Sequence, residues 1–288
     1  MIRYSVIIPH YESLDVLPRA INSVPERADI EVLIIDNSAT PIGSTLFSER
    51  KNVHILYSPH GKGAGTARNV GLNSAKGEWL LMLDADDFFT PNAFAAIDRY
   101  ADSHADIVFF RMNSCDSDTL QPADRDIQFN GLINAYKDNK DENALRYDWS
   151  SPCAKMIRRR LVEEHDIRFD ETQASNDVLL SAKTGYWAEC IQASDETIYC
   201  ATIRQGSLTT TPSLNNLKQR IEVCGRFNAF LKEHGIHANR KSIMFYVYTI
   251  ARLYGFGEAV KALCQSVRMG NNPFVGITRW ASTARKKK

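Results

Sequence analysis

LLMLDADDFFTP, residues 80–91, runs apolar for four positions and then sets three carboxylates, Asp84, Asp86 and Asp87, within four residues. A buried strand that ends so abruptly in acid needs a reason, because two carboxylates about 5 Å apart repel by roughly 3 kcal/mol at an effective dielectric near 20. A solvated turn is one reading, since Asp favours loops and Thr90-Pro91 looks like a helix start. A divalent cation is the other: a hard ion that takes oxygen ligands and arrives with phosphate oxygens. The surrounding chain has to decide between them.

Upstream, RYSVIIP (3–9), IEVLIID (30–36) and VHILYS (53–58) join EWLLMLD (78–84) as β-rich runs. Three of the four are nearly continuous in apolar residues, as expected of strands covered on both faces of a parallel sheet. Helical patterns lie between them. Asp15 is placed to cap a helix with Pro18 in its first turn and Leu14, Leu17, Ile21 and Val24 at helical spacing. Residues 63–76, GAGTARNVGLNSAK, make a second crossover that Gly77 stops, and a fifth strand, DIVFFRM (106–112), follows a helix starting near Asn92. This alternation predicts an α/β fold. Residues 113–145, rich in Asp, Asn and Gln, read as a long loop or weakly structured insertion. From 214 onward the pattern is helical, with LNNLKQRIEVCGRFNAFLKEHG followed by an apolar helix over 241–268.

The 288 residues, 44% hydrophobic and 24% charged, suffice for a full core, and a net charge of +1 argues against nucleic-acid binding. The exception is the basic run Arg285 to Lys288. Met1-Ile2-Arg3 leads straight into a strand without a signal-peptide pattern, and IMFYVYTIA (243–251), interrupted by Arg252, is too short to span a bilayer. The six cysteines show no metal or redox spacing, so reduced thiols in a cytoplasmic protein are expected.

In an open α/β sheet, ligands sit outside the carboxyl ends of the strands. Here the first strand ends in Pro9-His10-Tyr11-Glu12, the second in Asp36-Asn37-Ser38 and the fourth in Asp84-Ala85-Asp86-Asp87. Parallel strands would bring all three clusters to one rim, which favours the cation. GKGAG (61–65) lacks both the Lys-Ser/Thr ending of a P-loop and a dinucleotide fingerprint, so it reads as a flexible turn. Arg68-Asn69, just inside the next helix, puts a fork of donors within reach of a diphosphate or base.

Taken in order, these residues resemble the family-2 inverting glycosyltransferases of the GT-A fold, of the bacterial cell-surface polysaccharide type. The resemblance rests on Pro9-His10-Tyr11-Glu12, on Asp36-Asn37-Ser38, and on GAGTARNVGLNSAKGE running into a strand that ends in Asp-x-Asp. It continues through WSSPCAKMIRRR (149–160), IRFDETQASNDVLLSAKTG (167–185) and IRQGSLTT (203–210), covering roughly residues 3–211. It implies a Rossmann-like GT-A domain with a mostly parallel central sheet over 1–211. Residues 1–112 would form the nucleotide-binding half and 113–211 the acceptor side, with a helical extension and basic tail over 212–288.

The resemblance also implies roles. Asp86 would ligate Mn2+ or Mg2+ directly, and Asp84 would contact the ribose or the metal through water; Asp87 is left with capping the next helix. Pro9, Tyr11, Glu12, Asn37 and Ala85 would border the nucleotide, Asp36 would lie near by, and Arg68 would face the base or diphosphate. Asp177 would be the general base. Two departures stand out: Asn176 replaces the usual Glu before that base, and Glu12 replaces the usual Asn. The donor implied is a nucleotide sugar, first a UDP-sugar. The acceptor would be a saccharide or lipid-linked saccharide in surface polysaccharide or lipopolysaccharide synthesis.

Peripheral contact with the inner face of the plasma membrane, through the C-terminal helices, Trp280 and the basic tail, stands beside a merely solubilising tail, and a homodimer stays open. A non-catalytic nucleotide-sugar-binding protein and a nucleotidyltransferase on a similar fold are the alternatives. Elsewhere, His234 and His237 read as surface positions and Arg158-Arg159-Arg160 as a solvated helix face. Trp149 and Trp187 read as sugar platforms or core.

Overall fold

The apolar runs fold as β1 (Tyr4–His10), β2 (Ile30–Asp36), β3 (Val53–Tyr57) and β4 (Trp79–Met82), all parallel, in the order β3-β2-β1-β4. Every residue of β2 and β4 is buried. Two helices make the crossovers that parallel pairing demands, α1 (Leu17–Asn22) after β1 and α2 (Ala64–Ser74) after β3. The computed structural model describes residues 1–204 and 213–277. Most of IRQGSLTT, Trp280 and Arg285 to Lys288 therefore lie outside the described residues.

Beyond β4 the sheet becomes mixed. β5 (Phe88–Phe89) and α3 (Ala93–Asp98) lead to β6 (Ile107–Asp116), then α4 (Ile127–Asn139) and α5 (Asn143–Asp148). β7 (Lys155–Arg158) lies antiparallel to both β4 and β6; α6 (Arg159–Glu164) and α7 (Val178–Trp187) precede β8 (Ile191–Ile203), which is parallel to β6. One eight-stranded sheet results, β3-β2-β1-β4-β7-β6-β8-β5. Three helices follow: α8 (Leu214–Glu233), α9 (Met244–Tyr254) and α10 (Phe256–Arg268). They share a small core around Leu217, Ile221, Ile250 and Ala262, and Phe227 and Leu231 of α8 pack on Tyr147 and Ala182.

Several expectations need correction. Residues 113–145 are not a loop: β6 continues to Asp116, and α4 and α5 follow. Asp15 caps nothing, because α1 starts after Val16 and the Asp15 carboxylate pairs with Arg204 at 3.0 Å. Arg158 is no solvated helix residue; it ends β7, lies 3.9 Å above the Trp79 ring and donates to the Ala105 carbonyl. Trp149 is core, packed between Phe109 and Phe129, and Trp187 is stacked on His165 at 4.0 Å. His234 is half-buried against Tyr186 and Phe230.

Candidate active site

Because β1, β2 and β4 are parallel neighbours, their carboxyl ends form one rim, and the acidic turn after β4 opens onto it. Asp87 is the fixed point of that turn. Its carboxylate is buried and accepts from the Tyr199 hydroxyl (2.6 Å) and the Thr202 N–H (2.6 Å) on β8, while Tyr199 accepts from the Asp84 N–H (3.2 Å). Burial, then the charges of Asp86 and Asp84, hold its pKa well above the ordinary range. Capping is excluded, since α3 begins after Asn92. Asp87→Ala would strand a buried hydroxyl and a buried N–H, and is expected to lower unfolding free energy by about 2–4 kcal/mol in a urea titration.

With Asp87 anchored, Asp84 and Asp86 are left at a cavity of about 850 Å³. The structure brings Pro9, Tyr11, Asn37, Arg68, Asp84, Ala85, Asp86 and Asp177 together in its lining. Two expected residues are not in that lining. Asp36 is buried behind it, accepting from His10 Nδ1 (2.9 Å) and the N–H groups of Ser38 (3.1 Å) and Ile42 (2.8 Å). The Ser13 N–H donates to His10 Nε2 (3.2 Å), so the imidazole proton sits on Nδ1. Burial pushes Asp36 up, but these hydrogen bonds outweigh it and keep its pKa below the ordinary value. Its role is to hold the turn that carries Asn37. Glu12 is exposed, at φ 46°, with its carboxylate accepting from the Ala39 N–H at 3.4 Å.

Arg68 joins the two walls. Its buried guanidinium donates to Asp84 Oδ1 (2.5 Å) and Asn176 Oδ1 (2.8 Å) and lies 5.3 Å from the Phe169 ring centre. Beside it, Asn69 exchanges two hydrogen bonds with the Phe169 backbone (2.9 and 3.0 Å). Gly65 permits the approach: a Cβ there would lie 2.0 Å from the Asp170 carbonyl oxygen. The glycine-rich turn is thus a docking point for residues 169–176, the segment that carries Asp177 into the cavity.

Asp177 precedes α7 and makes no side-chain capping bond. Burial raises its pKa and Asp84 adds to this, whereas Arg68 and Lys155 pull it back. Lys155 was not visible as a functional residue in the sequence; the signal was one lysine in the strand-like run AKMIR. It is buried, donates from Nζ to Ser181 Oγ (3.1 Å), and burial brings its pKa down to about 7 against the opposing charge of Asp177. The C-terminal helices contribute as well: Arg220 and Phe227 of α8, Lys241, and Tyr246 of α9 line the same cavity.

The donor set fits a divalent ion brought by a nucleotide. Burial and then the neighbouring Asp84 raise the Asp86 pKa, and the more distant charges of Arg125 and Arg19 offset this only in part. Among the described residues no group of three or more His, Cys, Asp or Glu side chains forms a ready cage. Asp87 also borders the cavity, but its carboxylate oxygens are taken by Tyr199 and Thr202, which leaves two carboxylates, and an ion held there would take its remaining oxygens from phosphate and water.

Residues 5–166 match the family described as glycosyl transferase family 2. Over 221 residues the chain is 26% identical to the poly(ribitol-phosphate) beta-N-acetylglucosaminyltransferase TarS of Staphylococcus aureus, a match covering 72% of this chain and 36% of that protein. The chain thus spans about a third of the length of that relative. It is 24% identical over 293 residues to the succinoglycan biosynthesis protein ExoO of Rhizobium meliloti, covering 96% of this chain and 80% of that one. The crystal structure of S. aureus TarS 1–349 in complex with UDP-GlcNAc shares the fold at a TM-score of 0.69 and 22% identity, over 93% of this chain and 81% of that one. Mannosyltransferase PcManGT from Pyrobaculum calidifontis, in complex with GDP-Man and Mn2+, shares it at 0.55 and 15% identity, over 98% and 80%. These likenesses establish a GT-A architecture. With the family match covering more than half of the 288 residues, the chain belongs to glycosyl transferase family 2.

Proposed function

We propose that the protein is a metal-dependent inverting glycosyltransferase of the cytoplasm. It moves a sugar from a nucleotide-diphosphate donor, first a UDP-sugar, to a hydroxyl of a saccharide or lipid-linked saccharide in surface polysaccharide or lipopolysaccharide synthesis. Residues 1–211 carry the chemistry, and Arg220, Phe227, Lys241 and Tyr246 of the C-terminal extension complete the cavity lining. One observation carries the reading: the Asp84–Asp86 pair and Asp177 line a single cavity, with Arg68 bonded to Asp84 and to Asn176, the neighbour of Asp177.

Inverting transfer needs the leaving diphosphate stabilised on one side of the anomeric carbon and the acceptor hydroxyl deprotonated on the other. Mn2+ or Mg2+, when bound, supplies Lewis-acid neutralisation of the leaving diphosphate. Asp86 and Asp84 would hold that ion, Arg68 keeps the Asp84 carboxylate in place, and Pro9, Tyr11 and Asn37 would border the base. Asp177 takes the acceptor proton; its raised pKa suits a base working near neutral pH. The non-catalytic alternative rested on Asn176. That amide is engaged with Arg68, and the carboxylate next to it still lines the cavity.

Lys155 bears on that base without lining the cavity. Below about pH 7 it is cationic and favours the Asp177 carboxylate. Lys155→Met keeps the volume and removes the charge, so Asp177 should titrate higher. The rising limb of the transfer rate against pH is expected to move to higher pH, with the plateau largely kept. A panel of nucleotide sugars assayed for metal-dependent transfer tests the function itself. Turnover with a UDP-sugar is expected, and UDP binding without turnover of any donor would favour the non-catalytic alternative.

A further inference from the structure

Among the described residues, helices α9 and α10 leave apolar surface uncovered. α9 buries Val247 and Ile250 against Leu217 and Ile221 of α8, and its opposite side exposes Phe245 and Tyr248, with Arg252 one turn further on. On α10 the apolar arc begins at buried Ala259 and Ala262. It continues round the helix to Phe256, Val260 and Val267, exposed by 78, 41 and 50%. Lys261 and Arg268 follow the two valines directly and border this stripe. Scattered apolar side chains on a surface are ordinary, whereas a stripe edged by cations marks a contact.

The charge identifies what it contacts. From Met244 to Lys288 the sequence holds eight Lys or Arg and a single acid, Glu258, a net +7 in a chain whose total is +1; Arg252, Lys261 and Arg268 are the cations among the described residues. Glu258 is itself paired with Lys261 (2.7 Å) and Lys218 (3.1 Å). A second copy of the chain seated here would bring Arg252, Lys261 and Arg268 against the same cations of its partner with one acid, Glu258, to offset them. An anionic lipid surface satisfies the stripe and the cations together. No helix of the described residues is long and apolar enough to cross a membrane, so such contact lies in the interface plane.

We propose that the exposed faces of α9 and α10 dock on an anionic membrane surface, with Phe256, Val260 and Val267 at headgroup depth and Arg252 and Arg268 on lipid phosphates. The assignment is independent of the donor and of turnover. Its test is co-sedimentation of the full chain with phosphatidylglycerol-containing vesicles and with pure phosphatidylcholine vesicles, at low and high salt.

Binding should be at least about tenfold stronger on the anionic vesicles and fall with salt, since each cation near such a surface contributes roughly fivefold. Phe256→Glu with Val260→Glu should lower it by more than about tenfold while circular dichroism and Tm stay put, because both side chains are exposed. Equal binding to both vesicle types, or unchanged binding by the double variant, would overturn the proposal. So would a wild-type dimer in sedimentation velocity that the double variant dissociates while neither protein binds vesicles, which would assign the face to a second copy.

Discussion

Asp177→Asn is expected to cut sugar transfer by roughly 10²-fold to 10⁴-fold, the usual contribution of a positioned general base, with UDP affinity nearly unchanged. The separation follows from geometry. Asp177 makes no hydrogen bond to Arg68, Asp84 or Asp86, so its amide leaves the opposite wall intact. Asn176 keeps its bond to Arg68, and the neighbouring segment stays docked through Asn69 and Phe169. Transfer rates beside calorimetric UDP titrations of the same preparation provide the check. If UDP binding is lost together with transfer, Asp177 belongs to the donor side and the base lies elsewhere on the cavity wall.

Asp86→Asn should be as damaging for the opposite reason. It removes one of the two carboxylates that would hold the ion, so both metal-dependent nucleotide binding and transfer should fall, transfer by about 10²-fold or more. Stability should move the other way. Burial and Asp84 both disfavour the charged form of Asp86, so the amide removes a repulsion from the unliganded protein. Tm is expected to hold or rise by a few degrees. A variant that loses transfer because it has unfolded would show a lowered Tm and contradict this account, as would full turnover at ordinary Mn2+.

The parts of the fold that were legible in the sequence are those governed by local burial. β2 and β4 are covered on both faces, and their runs are apolar without interruption. The rim was legible for the same reason, because polar residues appear at once where β1, β2 and β4 end. Residues 113–145 resemble a loop in sequence because polar side chains there bond across the fold. Asn130 pairs with both the N–H and carbonyl of Met112, and Ser114 donates to Asp126 at 2.6 Å. Those bonds fasten α4 to β6 with only Ile133 of the helix buried, so periodicity carries almost no signal.

The site was half legible for a similar reason. Asp84 and Asp86 stand in a recognisable spacing, but the distinct duty of Asp87 depends on Tyr199 and Thr202, more than a hundred residues away. Asp36 ends β2, and its bonds to His10 and Ile42, which the sequence does not show, place it under the turn that carries Asn37. Lys155 was hidden by its strand. A lysine between apolar neighbours reads as an edge position until β7 is found between β4 and β6.

The most direct test of the central claim, that the Asp84–Asp86 wall takes a nucleotide diphosphate together with a divalent ion, is calorimetric titration of UDP into the wild-type protein with Mn2+ and with excess chelator. Binding tighter by at least about tenfold with Mn2+, and loss of that difference in Asp86→Asn, is the expected result. Equal UDP affinity with and without the ion, in both proteins, would contradict it.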